Sequence, residues 1–359
     1  MTRIFVIFIS IFMFAYAEES IVFIPDFFYK YRDISDSRYE ELSIPGFFHG
    51  ENHRKESGFN LNYIEVKIEY PLPHRIELSS VLHITEDSTE IDELYIKKLS
   101  DFFSIKGGKF RSSIGIMNSK HQHDWFFTDP PLIYELLFSE HGLTEKGIGI
   151  EGKWNVVRGG VEILNGENKN SFGYDPIPEY NVDEVKKPSL YTFYLKTKFK
   201  RKRQVYYFGL SYLRGKRREK GEEILSGETK IYGFEWLFKF SDIKMQGEYF
   251  YRDIDGYSYT ERGTVSKRQS GYYLQSIYEF TQKVSGGLRY DKLDKNKING
   301  KNITGVLEKY SVCFNYFPVK EIKIRLGYSY NNSYRIENKK KRFNEFTLEM
   351  TIFLGKHIH

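Results

Sequence analysis

Along most of the chain, apolar and polar residues alternate one by one. Over 322–330, Ile322, Ile324, Leu326, Tyr328 and Tyr330 fall on one face and Lys323, Arg325 and Ser329 on the other. Over 230–240, Tyr232, Phe234, Trp236, Phe238 and Phe240 oppose Gly233, Glu235 and Lys239. Tyr191, Phe193, Leu195 and Phe199 oppose Tyr194, Lys196 and Lys198. Met245, Tyr249 and Tyr251 oppose Gln246, Glu248 and Arg252. Near the C-terminus, Phe346, Leu348, Met350, Ile352 and Leu354 alternate with Thr347, Glu349, Thr351 and Phe353. A period of two with one apolar and one charged face predicts β-strands.

The alternating runs predict strands at 21–31, 58–70, 75–85, 90–99, 102–116, 146–155, 158–165, 189–200, 203–213, 229–240, 243–254, 267–281, 283–292, 303–317, 320–331 and 343–354. Many are ten to fifteen residues long, against about five or six for a strand of a soluble protein. Very short connections (72–74, 100–101, 156–157, 201–202, 241–242, 282 and 318–319) alternate with longer ones (32–57, 86–89, 117–145, 166–188, 214–228, 255–266, 293–302 and 332–342). Short turns on one side and long loops on the other, with an even strand count, are the pattern of a transmembrane antiparallel β-barrel. The expectation is an all-β, porin-like barrel of about sixteen strands; counts of fourteen and eighteen also fit the spacing.

Composition agrees. Aromatic residues make up 17% of the chain, with 29 Tyr and 30 Phe, and charged residues 28%. A barrel uses aromatic girdles at two membrane interfaces. No segment after the N-terminus approaches the eighteen apolar residues that a membrane helix needs. One cysteine, Cys313, excludes an intramolecular disulfide framework. The net charge of +6 is mild and no nucleic-acid motif accompanies it, so nucleic acid is not an expected partner. At the N-terminus, Arg3, an apolar run from Ile4 to Phe14 and Ala15-Tyr16-Ala17 read as a signal peptide over 1–17, cleaved after Ala17. Residues 18–359 then form the barrel in the bacterial outer membrane, with membrane lipid around it. Sixteen-stranded porins suggest by analogy a homotrimer.

With the N-terminus in the periplasm, 117–145 is the third external loop. Trp125, Phe126 and Phe127 can pack on an inner wall, and Pro130-Pro131 can start a helix with Leu132, Ile133, Leu136, Leu137 and Phe138 on its apolar positions. In solvent these side chains would form a large apolar patch. An inward fold is therefore expected, with Lys120, His121, His123 and Asp129 facing water at the pore constriction. Lys196, Lys198, Glu235, Lys239, Lys244, Glu248, Arg252, Arg289, Asp291, Lys323 and Arg325 are the expected lumen charges, and their basic excess favours anions. The function that follows is passive diffusion of small hydrophilic solutes or ions.

A second reading is metal handling. His121, His123, Asp129, Glu140 and His141, with Asp124 nearby, are the ligand types that zinc takes. The same histidines could equally hydrogen-bond the loop to the wall, and no closed four-ligand spacing is present. No G-x-S-x-G or other catalytic constellation appears, so no enzyme is expected and no cofactor beyond zinc.

The motif Lys120-x-x-His123-x-x-Phe126-x-x-Asp129-x-Pro131-Leu132, followed by Leu137-Phe138-x-Glu140-x-Gly142-Leu143, resembles a bacterial outer-membrane family. Its members are often labelled zinc-regulated TonB-dependent outer membrane receptors. Gln246-Gly247-Glu248-Tyr249, Gly271-Tyr272-Tyr273-Leu274-Gln275 and Gly287-Leu288-Arg289-Tyr290-Asp291 are similar to the family too. Ser139-Glu140-His141 departs from its Gly-Glu-Glu, and Gly355-Lys356-His357 from its Gly-Pro-His. A TonB-dependent transporter carries a plug inside a twenty-two-stranded barrel. Strand-like sequence begins here at Ile21, so the resemblance implies a plugless barrel of the phosphate-selective-porin type.

Overall fold

The computed structural model describes residues 20–40, 42, 55–139, 141–220, 223–336 and 339–355. The expected signal peptide, 1–17, lies outside them. Sixteen long strands build the fold: β1 (Ser20–Arg32), β2 (Gly58–Leu72), β3 (Ile76–Ile84), β4 (Thr89–Leu99), β5 (Phe103–Arg111), β6 (Thr144–Trp154), β7 (Val157–Leu164), β8 (Leu190–Arg201), β9 (Gln204–Lys220), β10 (Ile224–Phe240), β11 (Ile243–Ser258), β12 (Gly263–Glu279), β13 (Val284–Leu293), β16 (Leu307–Tyr316), β17 (Ile322–Ile336) and β18 (Lys339–Ile352). Two-residue strands β14 (Lys297–Ile298) and β15 (Lys301–Asn302) pair in the loop after β13, and β19 (Leu354–Gly355) continues β18 along β1. Each long strand pairs antiparallel with the next. β1 pairs with β2 and also with β18, Asp26 opposite Thr351, which closes the sheet into a barrel. Closure leaves no sheet edge, as a membrane-spanning sheet requires.

Burial runs opposite to that of a soluble protein. Along β17, Lys323 is 6% and Arg325 1% exposed, while Leu326 is 42% and Tyr328 47% exposed. Phe193, Phe234, Leu274, Leu288, Leu348 and Met350 also face outward. The charged face points into the barrel because only there can it find partners or water. Three tight turns rest on positive-φ residues, Asn155 at 53°, Lys202 at 52° and Ser241 at 51°.

Three expected long loops (214–228, 255–266 and 332–342) are largely strand, the last because β17 runs on to Ile336 and β18 begins at Lys339, with Tyr334 opposite Lys341. β9 runs on to Lys220 and β10 begins at Ile224, with Gly215 opposite Thr229 and Lys220 opposite Ile224. β11 and β12 likewise pair through Asp255–Ser266 and Ser258–Gly263. The ladder continues where the residues stop alternating between apolar and polar, as in Lys216-Arg217-Arg218-Glu219-Lys220. A backbone ladder does not need an apolar face, so hydropathy misses it there. In the other direction, β5 ends at Arg111, short of the expected 116. From Ser112 the chain turns into the lumen.

Inside the barrel lies an apolar core. Helix α2 (Leu132–Phe138) buries Leu132, Ile133, Leu136, Leu137 and Phe138 against Leu164, Leu190, Leu213, Ile231, Phe250, Leu293 and Leu307 of the wall. Phe172, from the segment after β7, joins them. A short helix, α1 (Asp36–Glu40), follows β1.

Candidate functional site: the inward loop and the lumen wall

The segment between β5 and β6 is pinned where it enters and leaves the lumen. Ser112 N–H donates to the Leu143 carbonyl at 2.9 Å. Asn118 ties both ends, donating through Nδ2 to the Ser112 (2.8 Å) and Leu143 (3.2 Å) carbonyls and accepting from Leu143 N–H at 2.6 Å. Gly115 sits at φ +63°, where a Cβ would lie 1.9 Å from the Tyr134 hydroxyl. A left-handed residue that close to a neighbour has to be glycine.

From there the wall charges hold the loop. Glu248 accepts from the Ile116 and Met117 N–H groups, both at 2.9 Å, and from the Tyr134 (2.7 Å) and Tyr273 (2.6 Å) hydroxyls. Lys323 donates to the His123 and Trp125 carbonyls at 2.8 and 2.7 Å. Arg325 Nη1 donates to the carbonyls of Gln122 (3.2 Å), Trp125 (2.9 Å) and Phe127 (3.3 Å), and its Nη2 pairs with Glu349. Arg289 reaches Asp129 Oδ2 at 2.9 Å and Asp291 at 2.8 Å, and Asp291 accepts from Leu132 N–H at the start of α2 at 3.0 Å. Arg252 donates to the Asn170 carbonyl at 2.8 Å, which ties down the segment after β7 in the same way.

Seven of the expected lumen charges (Lys196, Glu248, Arg252, Arg289, Asp291, Lys323 and Arg325) therefore bind loop backbone or form pairs that hold it. Asp129 does not face open water: its carboxylate lies between Arg289 and Lys309. Burial would raise its pKa, and the two cations outweigh burial and hold it below the ordinary carboxylate value. Lys196 contacts the Gly115 carbonyl at 3.2 Å and Glu235 at 3.3 Å, and Lys239 pairs with Glu279 at 3.1 Å. Lys120 adjoins Lys244.

The loop is anchored chiefly on β11–β13 and β16–β18. Beside β2–β9 a cavity of about 760 Å³ is left. Lys67, Arg111, Lys153, Arg158, Lys196 and Lys198 line it, against Glu69, Glu93, Asp124 and Glu151. Arg111 is paired with Asp92 and Glu93, Lys196 with Glu235 and Lys67 with Glu69. Lys153, Arg158 and Lys198 have no ion pair among the described residues.

His121 on the cavity's edge, and His123 buried behind it rather than facing water as expected, meet carboxylates that the spacing of the sequence did not disclose. Glu65 Oε2 lies 3.3 Å from His121 Nδ1, 3.4 Å from His123 Nδ1 and 3.1 Å from His83 Nε2. His121 Nε2 lies 3.1 Å from Glu93 Oε1. Burial and Arg111 oppose a charged His121, but Glu65 and Glu93 prevail and lift its pKa to about 9. Of the other candidate metal ligands, the His141 ring stands 6.3 Å from His83, Asp129 is held by Arg289 and Lys309, and Glu140 lies outside the described residues. One local sign was available. Asp92 and Glu93 sit between Ile91 and Leu94 and break the alternation; a β-bulge puts both acids inside, Glu93 opposite Val81 and Ile91 opposite Leu82.

Comparison with known proteins places this geometry. An uncharacterized protein of Aquifex aeolicus (strain VF5) is 34% identical over 363 residues, covering 92% of this chain and 77% of the relative. The chain belongs to that protein's family. No family model matches it. Among solved structures, the anion-selective porin from Comamonas acidovorans aligns over 94% of this chain and all of its own, with TM-score 0.63 and 11% identity. OmpT of Vibrio cholerae, an outer membrane protein in trimer form, aligns over the same shares with TM-score 0.59 and 11% identity. At that identity the likeness establishes the fold, which is that of the bacterial outer-membrane porins.

Proposed function

We propose that the protein is an outer-membrane porin-like channel for small hydrophilic solutes, with a preference for anions, and that 117–145 is its constriction. The observation that carries this reading is the asymmetric filling of the lumen: an inward loop clamped to one side, and on the other a polar cavity with three basic residues that have no ion pair among the described residues. Lys153, Arg158 and Lys198 cluster near the tight-turn end of β6–β8, where a positive field would concentrate anions. The anion selectivity of the Comamonas porin and the trimer form of Vibrio OmpT lend support to anion transport and to a homotrimer. The reading makes the protein a channel rather than an enzyme.

Planar-bilayer recording tests it. Deleting 121–139 should leave a barrel whose gel mobility still changes on boiling, with a markedly larger single-channel conductance. Lys153→Glu/Arg158→Glu/Lys198→Glu should move the reversal potential in a salt gradient toward cation selectivity. An unchanged conductance in the deletion would remove the constriction. An unchanged reversal potential in the triple variant would remove the anion preference.

A further inference from the structure

We infer that Glu65, His83 and His121 form a binding site for a divalent cation of the zinc class, which cross-links the barrel wall to the inward loop. The site rests on the inward position of the loop but not on the channel reading.

The three side chains come from β2, β3 and the loop, and their ligand atoms all lie within 4.8 Å of one another. Glu65 Oε2 stands 3.1 Å from His83 Nε2 and 3.3 Å from His121 Nδ1. Bonds of about 2.0–2.1 Å in a tetrahedron place neighbouring ligand atoms roughly 3.3–3.4 Å apart, so the two edges from Glu65 are already close to those that a zinc ion would impose, and the third is within 4.8 Å. Two imidazoles and a carboxylate, with a fourth position for water or a further ligand, are a donor set that zinc accepts.

Two observations point to a cation rather than to ordinary hydrogen bonding. Glu65 is fully buried and its Oε1 has no hydrogen-bond partner. An unsolvated carboxylate oxygen of that kind costs free energy unless positive charge faces it. Second, His121 Nδ1 is buried without a hydrogen-bond partner 3.3 Å from Glu65 Oε2, while its Nε2 lies against Glu93 Oε1 at 3.1 Å. A metal-bound imidazole whose other nitrogen donates to a carboxylate is the usual outer-shell arrangement at zinc sites. The β4 bulge supplies that carboxylate. Asp92 and Glu93 are also shared with Arg111, at 2.9 and 3.4 Å, which suits them to supporting rather than ligating roles.

The test uses the full-length protein purified in detergent and stripped with EDTA. Isothermal titration with Zn²⁺ should show one saturable site per chain. Glu65→Gln and His83→Ala should each weaken it at least tenfold, with heat-modifiable mobility confirming that the barrels are folded. Titration with Co²⁺ should give the intense visible bands of a four-coordinate ion in the wild type and not in either variant. Zn²⁺ should also slow proteolysis within 117–139, and EDTA should restore it. Absence of saturable binding would overturn the site and leave a proton as the shared charge. So would binding that survives both variants but is lost in His357→Ala/His359→Ala. Conductance is read separately, so a failed titration leaves the channel reading standing.

Discussion

Replacing Arg325 with methionine should release the inward loop while leaving the barrel folded. The guanidinium is 1% exposed and bridges two parts of the structure: Nη1 donates to three loop carbonyls at 2.9–3.3 Å, and Nη2 pairs with Glu349 on β18. Methionine fills most of the same volume and keeps the β16–β17–β18 ladder, which is made by backbone groups. What is lost is a set of charge-assisted hydrogen bonds, worth about 1.5–3 kcal/mol each in isolation. One nitrogen shared among three acceptors does not give three full bonds, so the loop side comes to ~3 kcal/mol. That is on the order of a hundredfold shift toward the undocked loop. Glu349, left buried with one cation fewer, adds a penalty of the kind that makes a broken buried pair cost about 3–5 kcal/mol. Arg325→Met/Glu349→Gln removes that second part and should recover some stability but not loop docking. The assay is single-channel recording paired with limited proteolysis. The single variant should flicker to higher conductance states and be cut between 117 and 139, with normal heat-modifiable mobility. A variant with wild-type conductance and wild-type protease resistance would refute the anchoring role.

Leu326→Arg, one position along the same strand, puts a charge on the lipid face and should cost ~2–4 kcal/mol near the membrane midplane, measured as a lower folded fraction in lipid; equal loss of folding in Arg325→Met/Glu349→Gln, which removes both partners of the buried pair, would mean that the two faces are misassigned. Asp129 predicts a pH dependence. Its folded pKa is depressed, so its contribution is fully present above the unfolded value of about 3.9 and is lost only as pH falls through the lower folded value. The half of the loop next to α2 should stay protease-resistant at pH 5 and open well below pH ~4, and Asp129→Asn should be loosened already at neutral pH. Opening of the wild type above pH 5, unaltered in Asp129→Asn, would assign the effect to another group.

The sixteen strands were legible because a strand in a membrane has one face in lipid and one in the lumen. That difference is written residue by residue, as in Ile324-Arg325-Leu326. The inward loop was legible too, since Trp125, Phe127 and Leu132–Phe138 are too apolar for solvent. The alternation of apolar and polar residues was lost along Lys216–Lys220, where the ladder continues with charged residues on both faces and Arg217 and Glu219 are buried inside. It also gave way at the β4 bulge, where Asp92 and Glu93 both turn inward.

The division between what the chain states locally and what only folding decides falls at the partners. Alternation, turn spacing and the aromatic load are properties of neighbours in sequence, and they determine the barrel, its two faces and the existence of an unusual loop. Which lumen charge meets which loop atom depends on the closure of the sheet and the register of every strand. Closure brings Arg325 under the carbonyls of residues 122–127, Arg289 and Lys309 onto Asp129, and Glu65 and His83 onto His121. Those contacts join positions tens to hundreds of residues apart. In a barrel, a side chain pointing inward can meet a residue from any other strand or from a loop laid across the lumen, and a local pattern carries no information about which one it will be.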